Sequence, residues 1–239
     1  VLLHAFPLNR NMWKHQLAEL SDTFRVVAVD LPGFGQSPRL TKPPTLQAYV
    51  DEVLETIGSL NIGKAVFGGC SMGGYILFQL YRDHSHRVQS LVLCDTKPAA
   101  DTDEARQNRF NTIQTIKDQG ATHLAETMLP KLTSPKTPAM NMELMGEIKF
   151  SVLSNPVQGL CHALEAMAGR DDFTELAKSI ELPTLIINGR DDNFTPPEVA
   201  QDMQTLIPGS VLKIIEDAGH LAPLEQGHIV NQEISRFLG

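Results

Sequence analysis

One serine sits in a sequence context that suits a nucleophile. Ser71 is the central residue of the sequence GCSMG at positions 69–73, a G-x-S-x-G pattern between an apolar run and a helical segment. This context predicts a sharp strand-to-helix turn, in which small neighbours let the backbones pass and the serine projects into a cleft. The alternative is a glycine-rich turn with an incidental serine, or a phosphate-binding loop at a helix start.

A serine hydroxyl needs a general base within hydrogen-bond reach. His220 follows the apolar run Val211–Ile215 through a short loop that ends in glycine, so we expect it at the carboxyl end of a strand. The other histidines fall in polar connections, in helices or in a central segment, and we interpret them as solvated or core residues. His4 is interpreted as a residue that braces a loop. His220 is therefore the predicted base.

The base in turn needs an acid that orients it, and this acid should come before the histidine and after another strand. Asp191 and Asp192 both follow the apolar run Pro183–Ile187, and Asp95 follows the run Val88–Cys94. Aspartate in such loops also forms turns and caps helices. Spacing alone leaves the three aspartates as alternatives.

The elements that must position these residues alternate between strands and helices. The segments between the strands have helical patterns, such as the amphipathic stretch 46–60 with Thr45 as its N-cap. Strands with apolar residues at nearly every position are covered on both faces, which predicts an α/β fold with a doubly wound parallel sheet. Ligands bind such sheets at the carboxyl ends of the strands. The predicted strands are Val1–Leu3, Phe24–Val29, Ala65–Gly68, Val88–Cys94, Pro183–Ile187 and Val211–Ile215.

The alternation stops between residues 98 and 181, where helical patterns, prolines and methionines dominate. We predict two core parts, 1–97 and 182–239, separated by a helical cap or lid at 98–181. Flexible methionine side chains suit a lid over an apolar pocket as well as they suit an ordinary helix core. With Trp13, they make Met128, Met145 and Met167 candidates for the lining of a substrate pocket.

Composition narrows the class of protein. The 239 residues include 28 acidic and 20 basic side chains, a formal charge of -8, which opposes nucleic acid and an anionic membrane surface and favours neutral or weakly polar substrates. The three cysteines fit neither a disulfide framework nor a metal site. No apolar run reaches the length of a membrane span. The cysteines favour a reducing compartment, so we expect a cytoplasmic protein, although a start at Val1 without methionine suggests upstream trimming.

Across essentially its whole length the sequence resembles the α/β-hydrolase superfamily. In that family the acid is typically the third residue after the glycine that ends the strand, which selects Asp192. The resemblance thus implies a triad of Ser71, Asp192 and His220, with Asp95 kept as the alternative acid. The motifs that carry the resemblance are LHAFP at 3–7 with Trp13, DLPGFGQS at 30–37, the turn at Ser71, GRDD at 189–192 with Pro196, and GH at 219–220.

The resemblance also implies an oxyanion hole. Met72 supplies the backbone N–H after the nucleophile, and the loop after the first strand supplies the second. Phe6 is the best candidate, because Pro7 has no N–H. Ala5 departs from the usual glycine and costs about 1 kcal/mol if its φ is positive. The expected reaction is acyl transfer without cofactor or metal.

A narrower resemblance, carried by segments 94–109 and 166–170, is to the β-ketoadipate enol-lactone hydrolases and small bacterial carboxylesterases. It implies a small, apolar ester or lactone as substrate. A cofactor-free perhydrolase with the same triad and a non-catalytic ligand receptor on this fold are alternatives, whereas Ser71 argues against enzymes with an aspartate nucleophile. Arg170 is interpreted as part of a salt bridge.

The resemblance further implies two strands before Val1. Without them, strand Phe24–Val29 is expected to be an exposed or partner-covered edge, which makes a homo-oligomer possible.

Overall fold

The computed structural model describes all 239 residues, Val1–Gly239. Its six strands form one fully parallel sheet in the order β2-β1-β3-β4-β5-β6. The predicted α/β class with a parallel sheet is confirmed. The strands are β1 (Leu2–Leu3), β2 (Ala28–Val29), β3 (Ala65–Cys70), β4 (Val88–Cys94), β5 (Thr184–Gly189) and β6 (Val211–Ile215).

Eleven α-helices cover the sheet and its carboxyl edge. The first part of the chain contributes α1 (Lys14–Leu20), α2 (Leu46–Ser59) and α3 (Met72–His84); the middle contributes α4 (Asp103–Leu132), α5 (Thr137–Met140), α6 (Met142–Leu153), α7 (Val157–Ala168) and α8 (Thr174–Lys178); the end contributes α9 (Pro197–Leu206), α10 (Ala222–Glu225) and α11 (Gly227–Leu238). None of them combines the length and the apolar character that a membrane-crossing helix needs.

The lengths of strands β2, β3 and β5 differ from the sequence prediction. β2 is only two residues long, because β1 is its only neighbour and is itself only two residues long, so that residues 24–26 lie opposite no residue of β1 in this register. β3 and β5 extend to Cys70 and Gly189, where both still pair with the next strand. The edge position expected for the second strand is confirmed; association through that edge stays a prediction.

The central helix follows the strand that leads into Ser71. β3 runs directly through Ser71 into α3, whose first nine residues are all buried between neighbouring elements. α2 packs beside α3, and its Thr45 side chain caps it by accepting from the Ala48 N–H, as predicted. The helix-covered sheet therefore holds the β3–α3 turn rigidly at its carboxyl end.

Between β4 and β5 the chain forms helices α4 to α8 and no strand, as the loss of strand pattern indicated. α4 is interrupted at Gly120, whose backbone is non-helical with φ 76°, and it contains Pro130 in its last turn. α4 packs on α6 and α7, which places its inner side over the carboxyl ends of the strands. The division into core and lid at 98 and 181 stays a prediction.

Candidate active site

Ser71 occupies a strained turn that the surrounding backbone holds in place. Its φ is 51°, in the region that favours glycine, and the residue is only 8% exposed. Its N–H donates to the Cys94 carbonyl at 2.9 Å, and the Thr96 hydroxyl donates to its carbonyl at 2.9 Å. A Cβ on Gly73 would come within 2.3 Å of the Leu3 carbonyl oxygen, so only glycine fits there.

The three side chains expected to act together are joined by hydrogen bonds. His220 Nε2 lies 2.8 Å from Ser71 Oγ, and His220 Nδ1 lies 2.8 Å from Asp192 Oδ2. With Nδ1 protonated, the neutral imidazole donates to the carboxylate and accepts from the hydroxyl. The arrangement can therefore move the serine proton to the imidazole.

Asp192 is fixed by its own loop. Its Oδ1 accepts from the N–H groups of Phe194 and Thr195, and its Oδ2 also accepts from the Thr195 hydroxyl at 2.6 Å. Burial raises the pKa of this carboxyl, but the charge of His220 and the hydrogen bonds from His220 and Thr195 hold the pKa below its ordinary value. Asp192 is therefore a charged, oriented acceptor at neutral pH.

The structure does not bring the alternative acid to the histidine. Both oxygens of Asp95 accept backbone N–H groups, from Gly189 at 2.8 Å and from Ala222 at 3.2 Å. Asp95 thus ties together the loops that carry Asp192 and His220. Burial and the nearby charge of Asp192 raise its pKa well above the ordinary value. Spacing could not distinguish this bracing role from that of an orienting acid.

Asp191 and Glu225 connect the same loops to the helical segment. Asp191 accepts from the Ser134 hydroxyl at 2.6 Å. Glu225 accepts from the Gly219 N–H at 2.7 Å and from the Ser134 N–H at 2.8 Å. Burial raises the pKa of Glu225. The residue before His220 is therefore anchored to the turn that follows α4.

Two backbone donors lie in the elements where an oxyanion hole is expected. Phe6 follows β1, and its N–H makes no hydrogen bond within the protein. Met72 is the first residue of α3, so its N–H has no intrahelical acceptor. The φ of Ala5 is not positive, and the alanine in place of glycine therefore causes no strain.

His4 braces this loop, as predicted. It is fully buried, its Nε2 accepts from the Leu31 N–H at 3.0 Å, and its Nδ1 donates to the Ala5 carbonyl at 3.0 Å. Because Nε2 accepts a hydrogen bond, the ring is neutral with its proton on Nδ1. Burial lowers the pKa of His4 to about 4.

A cavity of about 210 Å³ opens beside Ser71 and His220. Met128 and Met167, two of the predicted pocket residues, lie on its walls. Phe194, which the sequence analysis missed, also lines it and has its ring centroid 4.9 Å from that of His220. An apolar residue two positions after the predicted acid was the available indication. The remaining lining residues are Phe6, Tyr75, Lys97, Asp101, Ala105, Arg109 and Leu132.

The other two predicted pocket residues do not line this cavity. Trp13 is completely buried in the core at the end of a short 3-10 turn, and Met145 packs against the core with its sulfur 3.7 Å from the Thr133 hydroxyl. Their apolar character indicated burial, but it did not indicate the direction in which each side chain points. The inclusion of Trp13 and Met145 in the pocket is corrected accordingly.

One wall of the cavity is charged. Asp101 forms an ion pair with Arg170 at 2.7 Å and a second one with Arg109. The Arg170 guanidinium also lies 4.1 Å from the centroid of the Tyr75 ring. The predicted salt bridge of Arg170 is confirmed. Lys97 and Asp101 lie within the segment 94–109 that carries the narrower family resemblance, but neither was predicted to line the pocket.

No group of three His, Cys, Asp or Glu side chains is spaced to hold a metal ion. The three cysteines are free and buried. The polar side chains near Ser71 are therefore His220 and Asp192, which are hydrogen-bonded to it in a chain, and the charged residues of the cavity wall.

Known proteins resemble the chain over nearly its full length. The sequence profile described as "alpha/beta hydrolase fold" matches residues 1–226. The 3-oxoadipate enol-lactonase 1 of Acinetobacter baylyi is 31% identical over 238 residues, covering 100% of this chain and 87% of the relative.

Solved structures of hydrolases also resemble the chain over nearly its full length. A thermophilic esterase from Thermogutta terrifontis, determined with malate bound, has a TM-score of 0.96 at 39% identity, covering 99% of this chain and 88% of the esterase. The enol-lactonase of Burkholderia xenovorans LB400 has a TM-score of 0.91 at 26% identity, covering 99% and 90%.

Proposed function

This chain belongs to the α/β-hydrolase family, and on that premise we propose that it is a serine hydrolase that cleaves small carboxylic esters or lactones through an acyl-enzyme intermediate. The observation that carries the proposal is the chain of two 2.8 Å hydrogen bonds from Ser71 through His220 to Asp192, at the edge of a cavity. Nucleophile, base and orienting acid in contact constitute the apparatus of acyl transfer.

The proposed reaction has two halves. His220 Nε2 takes the proton of Ser71, and the serine oxygen attacks the carbonyl carbon while the N–H groups of Phe6 and Met72 stabilise the oxyanion. Protonated His220 then gives its proton to the leaving alkoxide. His220 then takes a proton from water, whose oxygen attacks the acyl carbonyl, and gives that proton to the departing Ser71 oxygen, so that the acid and the free serine are released. Asp192 stabilises the imidazolium in both halves.

The relatives support an acyl C–O bond as the one that breaks. An enol-lactonase and an esterase both cleave such a bond, and they resemble this chain over most of its length. The side chains of Phe6, Leu132 and Phe194 make the cavity apolar around the serine. A small apolar group next to the scissile carbonyl fits that lining.

Initial rates on a short-chain and a long-chain aryl ester test the proposal. Ser71→Ala is expected to reduce the rate on the short ester by about 10⁴-fold or more, because it removes the nucleophile. The long ester should react slowly because the cavity is small. Ser59→Ala, at an exposed residue that ends α2, is the matched control and should retain the wild-type rate.

A rate that survives in Ser71→Ala contradicts the assignment of the nucleophile. The absence of any rate in both proteins contradicts hydrolase activity and favours a ligand receptor. Hydrogen peroxide with a short carboxylic acid, added to the same two proteins, tests perhydrolysis by the same serine.

A further inference from the structure

A buried asparagine of the helical segment contacts the loop that carries Phe6. Asn155 lies between α6 and α7, is 4% exposed and does not line the catalytic cavity. Its Nδ2 donates to the Pro7 carbonyl at 2.8 Å and to a carbonyl in the last turn of α6 at 2.9 Å. Its Oδ1 accepts from the Gly35 N–H at 2.9 Å. These partners fix the orientation of the amide, because only its oxygen can accept from an N–H and only its nitrogen can donate to a carbonyl.

The contact at Pro7 reaches the Phe6 N–H through two peptide groups. The Pro7 carbonyl and the Leu8 N–H belong to one peptide group, and that N–H donates to the Ala5 carbonyl at 2.9 Å. The Ala5 carbonyl in turn belongs to the same peptide group as the Phe6 N–H. Because a trans peptide group is planar and its C=O and N–H point in opposite directions, a hydrogen bond at each carbonyl helps to fix the direction of the N–H that follows.

The same chain of hydrogen bonds extends through Asn155 into the loop after β2. The Gly35 N–H that donates to Asn155 shares its peptide group with the Phe34 carbonyl, which accepts from the Ser37 N–H at 2.9 Å. Four hydrogen bonds of 2.8 to 2.9 Å therefore run in one direction, from Ser37 through Asn155 to the peptide group of Phe6. Aligned hydrogen bonds polarise one another, so the chain strengthens the donor at its end.

The backbone next to Asn155 is held close to the loop after β2. A Cβ on Gly159, in the first turn of α7, would lie 1.9 Å from the Gly33 carbonyl oxygen, so α7 and this loop touch through their backbones. Asn155 precedes Gly159 by only four residues. The side chain that bonds to Pro7 therefore projects from a closely packed part of the helical segment.

We propose that Asn155 is a positioning residue for the oxyanion hole, which orients and polarises the Phe6 N–H through the peptide groups at Pro7 and Leu8. The inference rests on the proposed function, in which the Phe6 N–H stabilises the oxyanion. Full negative charge develops on the carbonyl oxygen only as the serine attacks, so the chain acts on the chemical step and not on substrate binding.

Steady-state kinetics on a short aryl ester tests this role. Asn155→Ala removes the hydrogen bond to Pro7 and is expected to reduce kcat by about tenfold, with KM nearly unchanged. The loss is smaller than the ~10²-fold or more that removal of an oxyanion donor causes, because the Phe6 N–H stays in the protein but is less well oriented. Asn155→Asp keeps the size of the side chain and the acceptor for Gly35 but cannot donate to Pro7, so it should lose kcat as well.

Asn231→Ala is the matched control. Asn231 is 3% exposed in α11, and its Nδ2 donates to the His15 carbonyl at 3.0 Å, away from the lining of the catalytic cavity. Both alanine variants lose a buried hydrogen bond to a backbone carbonyl and should melt at a lower temperature than the wild type, but only Asn155→Ala should lose kcat. A loss of kcat in Asn155→Ala no larger than that in Asn231→Ala, or a change in KM alone, overturns the positioning role.

A reversible inhibitor separates the oxyanion hole from general damage to the site. A short alkyl trifluoromethyl ketone accepts the Ser71 oxygen at its carbonyl carbon; the serine proton passes to His220, and the carbonyl oxygen becomes an oxyanion. Its inhibition constant should rise about tenfold in Asn155→Ala, whereas that of the matching secondary alcohol, which forms no oxyanion, should stay unchanged. An equal change for ketone and alcohol overturns the proposal.

Nuclear magnetic resonance of the wild-type protein tests the chain without any variant. Formation of the ketone adduct should move the proton signals of the Leu8 N–H and the Asn155 side-chain amide downfield, because a stronger acceptor at Phe6 strengthens the hydrogen bonds behind it. The alcohol should leave these signals in place. Shifts at Phe6 and Met72 without shifts at Leu8 and Asn155 overturn the proposal, even where a variant fails to fold.

The outcomes also separate this inference from the proposed function. Wild-type hydrolysis of the aryl ester, with unchanged kcat in both Asn155 variants, overturns the positioning role and leaves the serine hydrolase proposal standing. The absence of wild-type hydrolysis overturns both.

Discussion

The two walls of the cleft are built in different ways. The core wall consists of the loops after β1, β3, β5 and β6, where Ser71, Asp192 and His220 are joined at 2.8 Å and backed by further buried hydrogen bonds. The helical wall comes from residues 98–181 and supplies Asp101, Arg109 and methionine side chains, partly from a helix interrupted at Gly120. The core wall holds the hydrogen-bonded chain of Ser71, His220 and Asp192, whereas the helical wall carries the ion pairs of Asp101 and most of the methionine contacts.

Packing around glycines shows the same contrast. In the core wall, a Cβ on Gly69, Gly73 or Gly74 would approach other atoms to between 2.3 and 2.5 Å. In the helical wall, a Cβ on Gly120 or Gly146 would meet nothing within 4 Å. Gly159 in α7 also belongs to the helical segment, and a Cβ there would lie 1.9 Å from the Gly33 carbonyl oxygen. The core wall is therefore tight at all three of its glycines, whereas the helical wall is tight at Gly159 and open around Gly120 and Gly146.

The largest expected effect is the loss of kcat when Asp192, the proposed orienting acid, is replaced. Asp192→Asn keeps the size of the side chain but removes the charge that orients and stabilises protonated His220, and we expect kcat to fall by about 10⁴-fold. Steady-state kinetics on a short aryl ester measures it.

Asp95→Asn is the matched comparison for that prediction. Because Asp95 braces two loops and does not contact His220, its replacement should reduce the free energy of unfolding and affect kcat far less than Asp192→Asn does. If the two variants lose the same activity, the assignment of Asp192 as the orienting acid is wrong.

The next effect tests the tight packing of the core wall. Gly73→Ala forces a methyl group against the Leu3 carbonyl oxygen, and we expect it to lower the free energy of unfolding by about 3 kcal/mol or to prevent folding. Urea denaturation followed by circular dichroism gives the value. Wild-type stability in this variant would show that the turn at Ser71 can relax.

A third effect links the core wall to pH. Burial lowers the pKa of His4 from its usual 6.5 to about 4. Between these two pH values His4 is protonated in the unfolded chain and neutral in the folded protein. The stability from neutral His4 is complete above pH 6.5 and is lost as the pH falls towards 4, by about 3 kcal/mol in all. Urea denaturation between pH 7 and pH 5 measures the first part of this loss.

His4→Gln is the control, because glutamine cannot titrate. Its free energy of unfolding should depend less steeply on pH below 6.5 than that of the wild type. Equal slopes would show that His4 is already protonated in the folded protein or is as accessible as in the unfolded chain.

The same contrast explains what could be predicted from the sequence. The core wall is encoded locally: the glycines around Ser71, the glycine before His220 and the strand before Asp192 each predict a position at a carboxyl strand end. Choosing Asp192 over Asp95 from the residues alone was impossible, because both follow strands and only the fold shows which one faces the imidazole.

The helical wall is encoded by contacts between distant residues. Asp101 meets Arg170 across 69 positions of sequence, so no local spacing marks the pair. The charge of Lys97 could be counted, but its lack of a partner depends on side chains from other elements.

The smallest expected effect tests the freedom of the helical wall. Gly146 is exposed inside α6 with open space around its Cβ position. Gly146→Ala should raise the free energy of unfolding by about 1 kcal/mol, because alanine reduces the conformational entropy of the unfolded chain and favours the helix. Urea denaturation measures the free energy of unfolding of both Gly73→Ala and Gly146→Ala. The same change of glycine to alanine is thus compared in the core wall and in the helical wall. A loss in Gly146→Ala would mean that α6 is as constrained as the turn at Ser71, and the two walls would then differ in charge alone.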